Sequence, residues 1–247
     1  MTPPPPIGVH LHSARREARD DLEGVLRRLA EIGYLGVEVE GLHGMAPDRF
    51  RALTAEVGLQ VISVSVEEDG PAATAAAARE LGAGTVVDGF YDLDPNDLRD
   101  QLDALNAAVA ECAPQGMRFA YHNHEREFTH DVDGRRAWDV IVDELDPRVV
   151  LEVDYSHAAL YAGVDPVELL GSVGERARLL HVRDATGPDV DDVTPVGSGR
   201  FDISAILAAA PVAEWHVVEH ESRANVLEGI AESYRYLVGN GFSRGRV

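Results

Sequence analysis

Short apolar, β-branched runs alternate along the whole chain with longer stretches in which apolar residues recur at helical spacing. The short runs predict eight β-strands, at residues 7–13, 35–41, 59–66, 84–89, 117–124, 148–156, 177–185 and 214–221. The longer stretches predict helices at residues 20–32, 47–57, 72–81, 94–110, 137–145, 166–173 and 203–209, and a last helix that ends at about residue 238. Each strand is thus followed by a helix, and each pair takes roughly 30 residues.

This alternation predicts an α/β fold with parallel strands, which is either an open doubly wound sheet or a closed barrel. Eight pairs in a chain of 247 residues match a (β/α)8 TIM barrel, whose typical length is about 250 residues. An open sheet is expected to carry a glycine-rich phosphate loop after its first strand, and the segment HLHSARRE is not one. We therefore predict one barrel domain over residues 1–247, in which residues 1–6 form a proline-rich lead-in.

Composition and charge narrow the range of functions. The formal net charge is −21, all 22 basic residues are arginine, and lysine is absent. The absence of lysine excludes Schiff-base chemistry, and an acidic chain repels nucleic-acid phosphates. No apolar run reaches the roughly 20 residues of a membrane helix, and the start MTPPPP lacks the pattern of a signal peptide. The single cysteine, Cys112, excludes an intrachain disulfide and suits a reducing cytoplasm. Together with the charge and the lack of a long apolar run, this predicts a cytoplasmic protein with neither a nucleic-acid nor a membrane partner.

Polar residues gather at the carboxyl ends of the predicted strands, where TIM barrels carry their active sites. The last four strands each end on a residue that can ligate a metal: His122 or His124, then Asp154, His181 and Glu219. The spacings 122–154, 154–181 and 181–219 are each about one strand–helix pair. Buried carboxylates would be costly without a cation. Two imidazoles and two carboxylates aimed at one point suit Mn²⁺, Co²⁺, Mg²⁺, Fe²⁺ or Zn²⁺.

Other polar residues flank this predicted metal site. Residues two positions apart on a strand point the same way, so each ligand has a polar companion on its face. The companions are His124, Glu152, Arg183 and Glu221. For the two glutamates, a rim salt bridge or support of a ligand is as good an explanation as a direct role. The opposite side of the mouth carries His10, His12, Glu38 and His43. Such a wall is typical of a sugar site, because hydroxyl-rich ligands need many hydrogen-bonding partners.

Seven segments, spread from about residue 8 to residue 221, carry motifs that are specific only in combination. They are GVHLHSARRE, LAEIGYLGVEVEG, AYHNHEREF, LEVDYSHAALYAGVDPVELL, LLHVRDA, PVGSGRFDISAIL and WHVVEHE. Together they resemble the sugar phosphate isomerase/epimerase family, the xylose isomerase-like TIM barrels. The resemblance implies metal ligation by Asp154, His181 and Glu219. The fourth ligand, a glutamate in the ketose epimerases of the family, matches His122. His157 and Arg183 match positions that hold substrate hydroxyls or assist the chemistry.

The resemblance also implies a reaction, the removal of a proton beside a metal-bound carbonyl to give an enediolate. We expect a divalent-metal-dependent isomerase or epimerase of a keto-sugar or sugar derivative, with Glu219 as base and ligand and His124 or His157 as its acid–base partner. The alternative is a dehydratase or lyase of an inosose or a 3-keto-glycoside, because His122 departs from the two-glutamate scheme of the epimerases. A non-catalytic sugar-binding barrel and an endonuclease IV-like enzyme are further alternatives. The endonuclease is disfavoured because it would need more metal ligands and a basic groove.

The expected partner is a small-molecule sugar, and a homo-oligomer is compatible with the sequence. A phosphate on the sugar would need clustered arginines or a helix N-terminus near the last two strands. The segment GSGRFD, residues 197–202, offers one glycine-rich candidate with Arg200. The expected contacts to the sugar are His10, His12, Glu38, His157 and Arg183.

Overall fold

The computed structural model describes residues 3–90, 93–223 and 225–246. Its main strands are β1 (Ile7–His10), β2 (Gly36–Val39), β3 (Gln60–Ser65), β4 (Thr85–Gly89), β5 (Arg118–His122), β6 (Val150–Asp154), β7 (Ala177–Val182) and β8 (Trp215–Val218). Each strand is parallel to its neighbours in chain order, and β1 pairs with β8, so the sheet closes into a barrel. The predicted TIM barrel is confirmed.

Helices surround the barrel. They are α1 (Arg15–Ile32), α2 (Pro47–Val57), α3 (Gly70–Leu81), α4 (Leu98–Cys112), α5 (Arg126–Thr129), α6 (Ala137–Glu144), α7 (Tyr155–Ala162), α8 (Pro166–Val173), α9 (Ile203–Ala209) and α10 (Val226–Gly239). The first helix shows why they pack there: Leu22, Val25, Leu26 and Leu29 recur at helical spacing and are all buried. Within the described ranges, none of the helices combines the length and the apolarity that a membrane span requires.

The predicted bounds of α2, α8 and α9 agree with the structure, whereas others differ for local reasons. The first strand ends at His10 because Leu11–Ala14 form a 3₁₀ turn. The strand expected to reach residue 156 ends at Asp154, because α7 begins at Tyr155. Asp154 caps that helix by accepting a hydrogen bond from Ser156 N at 2.8 Å. The helix expected over 94–110 begins at Leu98.

The interior of the barrel has an apolar layer towards the amino ends of the strands. Ile62, Val87, Ala120, Leu179 and Val217 pack there as one buried cluster, with Trp215 partly buried against it. Two neighbouring strands make room for these side chains with glycine. A Cβ on Gly36 would lie 2.8 Å from Ile62 and 2.9 Å from Trp215, and a Cβ on Gly8 would collide with Ile62. The polar residues of the next layer therefore rest on a solid apolar plug.

The segment after α10 closes the barrel at its amino end. Ile7 N donates to Arg244 O at 2.9 Å, and Arg244 N donates to Pro5 O at 2.8 Å. In the same region His216 of β8 is buried, with its Nδ1 2.8 Å from Ser243 Oγ. Its Nε2 has no hydrogen-bond partner among the described residues. Burial lowers the pKa of His216 to about 4, so the ring is neutral in the folded protein.

This buried ring should make the protein sensitive to acid. Below pH 6.5 the unfolded chain takes up a proton at His216, while the folded chain stays neutral down to about pH 4, so the unfolding free energy falls across this window. The complete effect is about 3 kcal/mol. His216→Asn cannot take up this proton, and its stability should fall less steeply with pH. Urea denaturation at about pH 7.5 and about pH 5 measures the difference. An equal loss of stability in the wild type and in His216→Asn would contradict the lowered pKa of His216.

Candidate metal and catalytic site

A cavity of about 300 Å³ opens at the carboxyl ends of the strands, and we call it the mouth cavity. Ten residues singled out in the sequence line it: His10, His12, Glu38, His122, His124, Glu152, His157, Arg183, Glu219 and Glu221. Glu40 and Asp88, which the sequence did not single out, line it as well. The predicted ligands Asp154 and His181 lie beneath this wall and are completely buried. His43 is not among the described residues that line it.

His181 is held by carboxylates on both sides of its ring. Nε2 lies 2.9 Å from Glu38 Oε1 and 3.2 Å from Glu152 Oε1, and Nδ1 lies 2.8 Å from Glu219 Oε2. Burial alone would lower the pKa of His181, but Glu152 and Glu38 hold it well above its ordinary value. The ring is therefore an imidazolium that donates from both nitrogens, and side chains from β2, β6 and β8 fix its orientation.

The Nδ1 side of this ring suits a cation. A metal-ligating histidine commonly donates its other ring N–H to a carboxylate, as Nε2 of His181 does to Glu38. Nδ1 and the Glu219 oxygen are 2.8 Å apart, close to the roughly 3 Å between two ligand atoms that share an ion at about 2.1 Å. The ring nitrogens of His10 are buried and have no hydrogen-bond partner among the described residues. Ligand atoms of His10, His181 and Glu219 all lie within 4.8 Å of one another.

A second group of potential ligands shares His181. Ligand atoms of His122, Glu152 and His181 also lie within 4.8 Å of one another, and His122 Nδ1 is 2.9 Å from Glu152 Oε1. Of the four predicted ligands, His122 and Glu219 thus approach His181 in different groups. Asp154 belongs to neither group. The four-residue metal set stays a prediction, and His10 and Glu152 join it as candidates.

Arg183 lies between the two predicted carboxylate ligands. Its Nη1 is 3.2 Å from Asp154 Oδ2 and 3.5 Å from Glu219 Oε1, and its Nη2 donates to Glu221 Oε2 at 3.1 Å. The other oxygen of Asp154 accepts from the backbone N of Ser156 at 2.8 Å and from its Oγ at 2.6 Å. An ion shared by Asp154 and Glu219 would therefore compete with the guanidinium for the same oxygens.

Two buried glutamates lie on the Nε2 side of His181. Burial and the neighbouring Glu152 raise the pKa of Glu38. Burial also opposes ionisation of Glu152, but His181 and His122 hold its pKa well below the ordinary value. Of these two neighbours, Glu152 therefore ionises more readily than Glu38. Ser63 Oγ donates to Glu38 Oε2 and ties this glutamate to β3.

In the segment AYHNH, the asparagine between the two histidines does not line the mouth cavity. Asn123 is fully buried; its Nδ2 donates to Asp154 O at 2.8 Å, and its Oδ1 accepts from Asp154 N at 3.1 Å. This two-point contact joins the ends of β5 and β6. Glu127 accepts from His124 N at 3.0 Å and fixes the next residue. His122 and His124 can therefore both face the cavity. Asn123 and Glu127 were not predicted as part of the site, although the order His-Asn-His is a signal of one residue turned away between two turned inward.

Glu219 is held as a carboxylate. Burial opposes its ionisation, but Arg183, His10 and His181 together hold its pKa well below the ordinary value. A carboxylate in this position can accept a proton from a substrate in the mouth cavity, since Glu219 is part of its wall.

Two further histidines of the mouth cavity, His124 and His157, have pKa values that are shifted in opposite directions. Burial would lower the pKa of His157, but Asp154 and Glu125 raise it above its ordinary value. Its Nδ1 lies 3.3 Å from Glu125 Oε2. Burial, together with His122 and His157, lowers the pKa of His124 to about 3. The raised pKa favours the form of His157 that can give a proton, and the low pKa of His124 leaves a neutral imidazole that can take one.

At the rim, His12 connects three loops. Its Nδ1 bonds to Glu40 and its Nε2 lies 3.3 Å from Glu221 Oε1. Hydrogen bonds with Glu221 and Glu40 raise the pKa of His12 to about 9. The ring of His12 stacks on that of His10 with centroids 5.6 Å apart, although His12 lies beyond the end of β1.

The glycine-rich segment 197–202 is already occupied by a carboxylate of the chain itself. The backbone N–H groups of Gly197, Gly199 and Phe201 donate to Asp184 at 2.9, 3.0 and 3.3 Å. A phosphate needs such amides free. This segment, with Arg200, is therefore a structural loop held by the aspartate of HVRD, and it does not line the mouth cavity.

The fold and these residues agree with one protein family. A family model described as xylose isomerase-like TIM barrel matches residues 26–238. The chain belongs to this family. A curated relative, inosose dehydratase of Geobacillus kaustophilus, is 26% identical over 191 residues, which make up 65% of this chain and 61% of that protein. The chain thus spans less than two thirds of the curated relatives that it matches.

Solved structures share the fold over nearly the whole chain. A sugar phosphate isomerase/epimerase of Parabacteroides distasonis has a TM-score of 0.84 and 21% identity, with 98% of this chain and 96% of that one covered. The IOLI protein with a binding zinc atom has a TM-score of 0.75 and 15% identity, with 96% of this chain and 98% of that one covered. At these identities the likeness concerns the fold.

Mn²⁺ binding should depend on His181 and Glu219. We expect His181→Ala and Glu219→Gln to weaken binding at least about 100-fold, because each removes a ligand, and Glu40→Gln, on the rim, to change it little. Affinity should fall about tenfold per unit of falling pH, since Nδ1 of His181 must lose its proton. Equilibrium dialysis against Mn²⁺ measures all of these. Unchanged binding in His181→Ala would contradict the site.

Two further variants distinguish the two candidate ligand sets of the metal ion. If it lies with Asp154 and Glu219 as the sequence predicts, Asp154→Asn should weaken Mn²⁺ binding more than Glu152→Gln does. If it lies with His122 and Glu152, the order should be reversed.

Proposed function

We propose that the chain is a divalent-metal-dependent isomerase or epimerase that acts on a keto-sugar or a sugar derivative by removing a proton next to the carbonyl. One observation carries the proposal. Glu219, whose pKa is held well below its ordinary value, and His157, whose pKa is raised, both line a single cavity of about 300 Å³. A proton acceptor and a proton donor held over one substrate are what such a reaction needs.

The proposed metal would be held by His181 and Glu219, with His122 and Asp154 as the predicted remaining ligands. The mixed nitrogen and oxygen donors favour Mn²⁺, Co²⁺, Mg²⁺, Fe²⁺ or Zn²⁺. When bound, the ion would act as a Lewis acid that polarises the substrate carbonyl. The zinc atom of the similarly folded IOLI protein supports this proposal.

The side chains of this protein divide the proton transfers between them. Glu219 takes the proton from the carbon beside the carbonyl, and an enediolate results. His157 then returns a proton, either to the other face of the same carbon, which gives an epimer, or to the neighbouring carbon, which gives an isomer. His10, His12, Glu38 and Arg183 bind the hydroxyl groups of the sugar, a small-molecule partner.

A second candidate is a dehydratase or lyase of an inosose or a 3-keto-glycoside. The ring of His124, whose pKa is lowered to about 3, lies beside the ring of His157, whose pKa is raised, with centroids 5.5 Å apart. This pair could remove a proton and at the same time protonate a leaving hydroxyl, which would eliminate water. The similarity to inosose dehydratase supports this candidate too.

Turnover in heavy water tests the reaction. With Mn²⁺ and a panel of ketoses, inososes and 3-keto-glycosides, the carbon next to the carbonyl should take up deuterium. Epimerisation or isomerisation should leave the sugar's composition unchanged, whereas elimination should release water or an aglycone irreversibly. Glu219→Gln should lower turnover by about 10²–10⁴-fold. Product that forms without deuterium would contradict proton abstraction and indicate a direct hydride shift.

The charge of His157 predicts the alkaline side of the pH profile. The imidazolium is present below its raised pKa and is lost as the pH rises through that pKa, so kcat should fall on the alkaline side. His157→Gln should lower kcat about 10²–10⁴-fold and remove this alkaline decline. A variant that keeps the wild-type alkaline decline would show that His157 is not the proton donor.

A further inference from the structure

A second, smaller hollow of about 130 Å³ adjoins the mouth cavity. The two share three wall residues, His157, Arg183 and Glu221, so that a molecule in one can extend into the other. The apolar part of the lining of the hollow includes Leu160 and Tyr161 of α7. Residues of the 186–192 loop form another part of the lining. We call this cavity the α7 hollow.

Exposed apolar side chains concentrate at this hollow. Among the described residues, three large hydrophobic side chains are clearly exposed: Tyr161 at 47%, Val167 at 41% and Val190 at 37%. Two of them, Tyr161 and Val190, line the α7 hollow. Single exposed hydrophobic residues are ordinary on a protein surface, but two in the lining of one hollow beside a polar site indicate an apolar ligand group.

A continuous row of rings leads from the proposed reaction centre to the hollow. The ring of His124 lies 5.5 Å from that of His157, and the ring of His157 stacks on that of Tyr161 at 6.0 Å with an interplanar angle of 22°. Tyr161 OH donates to Pro188 O at 2.9 Å, which fixes the ring against the loop. A planar group that extends from the sugar would meet the face or edge of a fixed aromatic ring.

We propose that the α7 hollow binds an uncharged aromatic ring carried by the sugar, and that Tyr161 selects for it. The proposal rests on the proposed function, because it assigns an aromatic substituent to the substrate of that site. The volume suits one ring, since an apolar cavity of about 150 Å³ accommodates benzene. Asp184, Asp189 and Glu221 border the hollow, and the guanidinium of Arg183 is already paired with Asp154 and Glu221. An anionic substituent such as a phosphate would therefore be repelled.

Binding of a stable aryl glycoside tests this proposal without turnover. The probes are 4-fluorophenyl β-D-glucopyranoside, followed by fluorine NMR, and methyl β-D-glucopyranoside as its competitor. The aryl glucoside should bind the wild-type protein at least tenfold more tightly than the methyl glucoside. Tyr161→Ala and Val190→Ser should reduce this preference to about twofold or less and leave the affinity for the methyl glucoside unchanged. Tyr161→Phe keeps the ring and should keep most of the preference. Val167→Ser, an equally exposed residue outside the hollow, is the matched control and should change nothing.

The outcomes separate this proposal from the proposed function. Equal affinity of wild type and Tyr161→Ala for the aryl glucoside would overturn the aromatic site, whatever the exchange experiment in heavy water shows. If the methyl glucoside fails to compete, binding of 4-fluorophenol to the wild type and to the variants, followed by fluorine NMR, tests the ring site instead. Binding of 4-fluorophenol that is lost in Tyr161→Ala but kept in Val167→Ser would support the ring site and count against a sugar pocket. Equal binding by both variants would overturn the ring site as well.

Discussion

The orientation of the His181 ring is the constraint on which the rest of the site depends. Glu38 and Glu152 hold its Nε2, and Glu219 lies against its Nδ1 on the other side of the ring. Burying so many acidic groups is costly unless a positive charge lies between them. The imidazolium supplies part of that charge, and the guanidinium of Arg183 supplies more. The same attraction that makes this layer tolerable keeps Glu219 ionised and aimed into the cavity.

Most of the architecture follows from local patterns in the sequence. The alternation of short apolar runs with helical periodicity is enough to predict eight strands in a closed barrel, because only a few topologies satisfy it. The bounds of α2 and α8 were predictable because each has proline in its first turn and glycine directly after it. Helix α7 was not predictable in this way. The segment YSHAALYA has little contrast between its faces. Its start is set by the side chain of Asp154, which the strand-end spacing predicts as a metal ligand.

For the candidate site, the sequence predicts which residues reach the mouth of the barrel better than it predicts which side chains contact one another there. Strand ends in a barrel converge by geometry, so His122, His181 and Glu219 could be placed at one mouth from their spacing alone. Which nitrogen meets which carboxylate depends on the register of neighbouring strands, and the sequence does not contain it locally. Asp154 illustrates the limit: it has the right residue type at the right spacing, yet its oxygens are shared between Arg183 and a helix cap. Asn123 was missed for the same reason, because its partner is backbone 31 residues away.

The apolar plug under the polar layer also ties together residues that are far apart in the chain. Gly8, Gly36 and Trp215 share one interior volume, and the strand of Trp215 lies beside that of Gly8 only because the barrel closes. A larger residue at either glycine is compatible with the fold only if the indole or Ile62 becomes smaller. These positions are consequently free to change in evolution only as a set. Exchanges among them in other members of the family should be correlated, with the total side-chain volume kept constant while the individual residues vary.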